Sequence, residues 1–234
     1  MFPFDRPNNY DEMLNKIGAF TFLEALLLTC LIGYFVPPVG GLLGSFKIPI
    51  DVYSIKIPLL YVVPSVLIGL IARIIRLHDK LSDLFQIRKT FDVYRVLTPL
   101  AGAVGYAINP ALLKMLKDNR EKAMQRTFYK YASFEEPKIS KALVLSAIDL
   151  WTWYWILAEF LFLLTVSAVI FLLFGAYAPA AYTLVAICTF VILFCTVFGV
   201  CGNEVDHQIE EIVSDSDRVA ELKHEFESLL KTNV

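Results

Sequence analysis

The sequence predicts an all-α integral membrane protein with four transmembrane helices in two hairpins. A helical cytoplasmic subdomain is formed by the central segment and the C-terminal tail. Three observations predict it. Hydrophobic residues make up 57% of the 234 and charged residues only 19%, where soluble domains carry roughly 25% charged residues. The apolar residues are also concentrated: Glu24 is the sole Asp, Glu, Lys, Arg or His in residues 17–46, and Glu159 the sole one in residues 151–203. Finally, 14 of the 21 Lys and Arg lie in residues 73–141, with apolar stretches on both sides.

The elements follow in order. Residues 1–17 form a cytoplasmic arm with three acids and no small-residue cleavage site, so the first span reads as a retained anchor. Residues 18–75 form the first hairpin, with spans at 18–37 and 57–75. About 20 apolar residues cross a hydrocarbon core of about 30 Å, and the second span fits when Arg73 and Arg76 snorkel to the interface. Residues 76–150 form a basic cytoplasmic segment. It continues the second span as a straight helix with Leu77, Leu81, Leu84 and Phe91 on one face, and holds a second amphipathic helix over 111–131.

Residues 96–113 are 18 without a charge, broken by Pro99, Gly102, Gly105 and Pro110. A fifth span here would put eight basic residues on the wrong side. The segment is read as interfacial, re-entrant or buried in the cytoplasmic subdomain. Residues 151–203 form the second hairpin, with spans at 151–175 and 179–202 parted by a turn between Gly175 and Pro179. Trp151, Trp153, Tyr154 and Trp155 suit an interfacial belt. Residues 204–234 form an acidic amphipathic tail.

Charge sets the orientation. Four spans put the arm, the central segment and the tail on one side with 19 Lys and Arg, and leave Lys47 and Lys56 on the other. Basic loops stay inside, so both termini are expected in the cytoplasm, with a bacterial inner membrane as the location. Residues 73–149 carry 14 bases and eight acids, and the tail from Glu204 carries three bases and nine acids. Opposite charges of six units favour docking of tail on segment, and the basic surface also attracts anionic lipid.

Candidate sites follow from cost and pattern. Glu24 and Glu159 enter their spans to depths of about 9 and 12 Å, and intramembrane carboxylates are expensive and usually functional. They suit a cation path, or else a neutral acid bonded to a span hydroxyl, with Thr196 or Thr189 as partner. Arg88, Lys114, Lys117, Arg120, Lys122 and Arg126 form a candidate docking face. Val205, Ile212, Val219 and Phe226 recur every seven residues, with Leu222 and Leu229 beside them, as a candidate oligomer seam or a helix folded back on its own subdomain.

Weaker patterns have plain explanations. His78-Asp79 and the following polar residues read as a solvated helix face, and His207 with Glu211 as part of an acidic one. Gly40 and Gly44 fall in a loop after Pro37-Pro38, outside an apolar helix, which weakens the GxxxG reading. Cys30, Cys188, Cys195 and Cys201 lack metal-site spacing and read as apolar packing.

No catalytic motif, cofactor or metal is expected. The partners expected are membrane lipids, further copies of the chain and a cytoplasmic protein; nucleic acid is not, given a net charge of −2. The function these features suggest is a non-enzymatic, oligomeric membrane effector, with a cytoplasmic sensing region controlling an ion-conducting or membrane-disrupting bundle. Bacterial self-killing in antiviral defence has this architecture by analogy. The alternative is a membrane anchor or scaffold that recruits a cytoplasmic protein.

Overall fold

The computed structural model describes residues 5–45, 49–52 and 55–231. Lys47, one of the two lysines expected on the outer side, lies outside them. The chain is helical apart from one short hairpin, and its elements run α1 (Tyr10–Phe35), α2 (Pro37–Gly44), β1 (Pro49–Val52), β2 (Ile55–Pro58), α3 (Leu59–Ile74), α4 (Leu77–Leu84) and α5 (Ile87–Phe91). A π-helix (Asp92–Leu97) follows, then α6 (Thr98–Ala103), α7 (Pro110–Asp118), α8 (Arg120–Thr127), α9 (Lys141–Leu173), α10 (Tyr177–Val213) and α11 (Ser216–Lys231).

Three helices among the described residues are long and apolar enough to cross a membrane: α1, α9 and α10. A fourth span exists only if α3 and α4 are taken together, and they meet at a bend of 59°. The expected straight helix is therefore broken. Pro64 lies inside the unbroken α3, and Arg76 at φ 51° adopts a left-handed conformation just past its end at a cost of about 1–2 kcal/mol.

The chain divides into two compact units. The first combines residues 11–80 with 152–197. Within it Ala25, Leu28, Leu163 and Leu164 form one buried cluster, with Ile68, Phe160, Ile187 and Phe190 packed around it. Tyr154 and Trp155 are buried within the protein, and Tyr154 stacks on Phe194 with ring centroids 4.4 Å apart. In the connection between α2 and α3, β1 pairs antiparallel with β2, Ile50 opposite Ile57, in a segment read from sequence as plain loop. Gly40 has a structural reason: a Cβ there would overlap the carbonyl oxygen of Gly33.

The second unit combines residues 6–10, 81–151 and 198–234. Its core holds Phe91, Val93, Val96, Leu97, Leu100, Ala101, Leu112 and Leu116. Of residues 96–113, Val96, Leu97, Leu100, Ala101, Val104 and Leu112 are buried in this core, while Ile108 is exposed. Asn109 and Gly105 explain the punctuation within them. Gly105 at φ 90° closes α6 with two bonds, from its own N–H to Gly102 O and from Tyr106 N to Ala101 O, both 3.0 Å, the αL cap that glycine takes without a Cβ penalty. Asn109 starts α7 by accepting from Leu112 N at 2.8 Å, with Pro110 at the first helical position. The helix expected over 111–131 is two helices, because α7 ends at Asn119 and α8 begins there.

The tail also differs from one continuous helix. α10 runs past its apolar stretch to Val213, and Asp215 then caps α11 by accepting from Asp217 N at 2.9 Å and Arg218 N at 3.3 Å. The break resets the helical phase, so the seven-residue spacing does not lie along one straight face. Val205, Ile212, Leu222, Phe226 and Leu229 are buried in the unit's own core, and Val219 packs against it. The oligomer seam is corrected to intrachain packing.

Phe226 is fully buried, its ring 5.9 Å from that of Tyr106. Truncating such a side chain costs about 3–5 kcal/mol. Phe226→Ala should release α11, seen as faster amide exchange and proteolysis after Val213; unchanged protection would show that α11 is held by its charges instead.

Candidate functional site

Glu159 lies on α9 in the first unit and is 2% exposed. A buried carboxyl needs hydrogen-bond partners, and two other elements supply them. The Thr21 hydroxyl on α1 is 2.5 Å from Glu159 Oε2. The backbone N–H of His78, in the first turn of α4, donates to Oε1 at 3.1 Å. Breaking the α3–α4 helix frees amide donors at the start of α4, and Glu159 caps one of them from another helix. The bend and the carboxyl are therefore one feature.

His78 is 3% exposed, with Nδ1 3.5 Å from Glu159 Oε1 and Nε2 3.7 Å from Asp79 Oδ1. The solvated helix face expected for His78-Asp79 is instead a buried polar cluster. Its ring lies beside Trp155, with centroids 6.0 Å apart. Asp79 also faces Arg76, at 3.8 Å. Lys16, counted in the arm, is buried in α1 with Nζ 4.6 Å from the Trp153 ring, a cation–π contact. Glu24 lies near enough to interact electrostatically with Glu159, and its Oε2 is buried without a hydrogen-bond partner.

The expected site is thus brought together in part. Glu24 stands within electrostatic range of Glu159. Thr196 and Thr189 do not join them: both are exposed on α10 and bond backward to Ile192 O and Val185 O. The hydroxyl is Thr21, and His78 completes the cluster. Thr21 was legible in principle, since it lies three residues before Glu24 and so shares a helix face with it. His78 was not, because nothing local foretells the bend that buries it. Among the described residues, no group of three or more His, Cys, Asp or Glu is placed to hold a metal ion.

The second unit holds the charge contacts. Arg120 pairs with Asp92 and Glu121, both at 2.9 Å, Arg126 donates to the Ser228 hydroxyl at 3.2 Å, and Lys117 lies over the Tyr94 ring at 5.1 Å. Arg88 adds its field to Asp92, Lys114 is exposed and Lys122 half-buried. The strongest links between basic segment and acidic tail use residues outside the expected face. Lys130 Nζ meets Glu221 and Glu225, each at 2.8 Å, and Arg95 meets Asp206 at 3.2 Å. The buried Tyr131 donates to Glu221 at 2.6 Å. Hydrogen bonds from Lys130 and Tyr131 hold Glu221 below its usual pKa, and the same carboxylates raise Lys130.

Asp92, the first residue of the π-helix, shows burial overriding its partners. Desolvation pushes its pKa from 3.8 to about 6, although Arg120 and Arg88 pull it down. A raised folded-state pKa favours the protonated acid, so its contribution is full below about pH 3.8 and is lost as pH rises through about 6. Asp92→Asn cannot ionise, and should flatten this slope in amide exchange at residues 93–97. A slope that persists would assign it to another group.

Comparison with curated proteins and with solved structures finds no match to this chain. A family model described as the YmfE protein family matches residues 9–227, nearly the whole length, and the chain belongs to that family.

Proposed function

We propose that this chain is a non-enzymatic multi-pass membrane effector whose bundle conducts ions or disrupts the bilayer under the control of its cytoplasmic region. In this reading α1, α3 with α4, α9 and α10 cross a bacterial inner membrane as two hairpins, with both termini and the basic segment inside. The observation that carries it is the cluster of Glu24, Glu159 and His78 set within apolar helices. Ionisable groups there are expensive and mark ion paths, relays or switches. Assembly into a homo-oligomer then falls to the membrane helices, since the tail's apolar residues are taken up by their own unit. The apolar stretch of α10 is hardly covered by the rest of the chain and is left for lipid or a second copy. A self-killing response to phage is the setting that this architecture suggests by analogy.

A second reading, an anchor or scaffold for a cytoplasmic protein, draws on one observation. The second unit has a closed core of its own and keeps Lys114 and Lys117 exposed, a surface available to an acidic partner or to anionic lipid.

Membrane potential separates the two. Expression of the native chain should depolarise cells, and Glu24→Gln with Glu159→Gln should slow this about tenfold or more. An inserted, folded chain that leaves the potential unchanged would sink the effector reading. Co-purification of a stoichiometric soluble protein would then support the scaffold.

A further inference from the structure

Thr21 Oγ1 is 2.9 Å from the carbonyl oxygen of Ile17 and 2.5 Å from Glu159 Oε2. A threonine hydroxyl has one proton to donate, so it cannot serve both oxygens. The hydroxyls of the other apolar helices show where it goes. Ser65, Thr165, Ser167, Thr183, Thr189 and Thr196 each donate to the carbonyl four residues back, at 2.8–3.1 Å. Thr21 makes the same backward bond to Ile17. The contact with Glu159 is then a hydrogen bond only if the carboxyl brings a proton of its own. Without that proton, two oxygen lone pairs would face each other at 2.5 Å between two buried residues.

We propose that Glu159 is a carboxylic acid holding an exchangeable proton, and that Glu159, Glu24 and Thr21 together form a proton-binding site inside the helices. Glu159 Oε2–H donates to Thr21 Oγ1, which donates onward to Ile17 O. Oε1 is the carbonyl oxygen of the acid and accepts the His78 backbone N–H.

Two further observations agree. Glu24 stands near Glu159 with a buried oxygen that has no hydrogen-bond partner, and two carboxylates at one site disfavour ionising both. The His78 ring, 97% enclosed, leaves Nε2 without a hydrogen bond, and its Nδ1 stands 3.5 Å from Oε1, an ion pair only if the ring is charged. The titratable groups that face the acid are Glu24 from α1 and His78 from α4, with Asp79 on the far side of the His78 ring.

The site deepens the effector reading by naming its ion as H⁺. It rests on that reading for its place in transport, whereas the protonation of Glu159 stands without it.

Infrared difference spectroscopy of the full chain in lipid vesicles at neutral pH reads the proton directly. The native protein should show the carbonyl stretch of a protonated acid, shifted in D₂O, and Glu159→Gln should remove it. Thr21→Val, a near-isosteric change that keeps the helix, should retain the band and move it to higher wavenumber, because the acid loses its acceptor. A native protein without the band, as an ionised Glu159 paired with a charged His78 would give, overturns the proposal. So does a band that Glu159→Gln leaves intact, or one that Thr21→Val leaves in place. Proton and potassium flux in the same vesicles keeps the two ideas apart. The acid band without any flux overturns the effector reading alone, and flux without the band overturns the proton site alone.

Discussion

The structure turns on the cost of burying one carboxyl. Glu159 sits on a helix whose neighbours are almost all apolar, where an unpartnered polar group costs several kcal/mol. It is satisfied by partners that no single helix offers: a hydroxyl from α1 and a backbone amide from the start of α4. Each contact demands a register. Thr21 must face α9 at that depth, and α3–α4 must break where it does so that an amide of the new first turn is free. A bend at Arg76 would otherwise be only a strained left-handed residue and a lost turn of helix. The carboxyl and the bend compensate one another.

The second unit meets a different constraint. Its residues 96–113 are as free of charge as a span, yet proline and glycine cut them into pieces too short to cross. Those pieces close on themselves. The π-helix and α6 bury Val93, Val96, Leu97 and Leu100, and α7, α8 and α11 cover them. Lys130 and Arg95 then tie the acidic tail to the basic segment at the rim of that core. Magnitude assigns the roles. Partly exposed ion pairs contribute about 0–1 kcal/mol each, whereas a buried Phe226 contributes about 3–5. The core holds the tail in place, and the charges choose which surface it meets.

This division bears on how such a protein would be controlled. Asp92 is a buried polar group beside that core, and desolvation raises its pKa to about 6. Charge at this edge is expensive and compensated by Arg120 and Arg88. A segment built this way responds to loss of one partner by changing packing, since an uncompensated buried charge is costlier than either neutral state.

Composition and charge determined the broad architecture. The apolar runs, the breaks at Gly105 and Gly175, and the opposition of basic segment to acidic tail are local or additive properties, legible because each depends on a residue and its near neighbours. The presence of Glu24 and Glu159 in apolar stretches was equally plain. Tertiary structure decided what those features touch. Thr21 rather than Thr196 reaches Glu159, since a helix of nearly all apolar residues has no pattern to say which face turns inward. His78 leaves the solvated face only because the chain bends at a residue with no sequence mark of bending. The heptad residues of the tail enter their own core because one capping aspartate, Asp215, restarts the helix in a new phase. Identity and spacing are written along the chain, but the partners of a buried polar group are set by the packing that buries it.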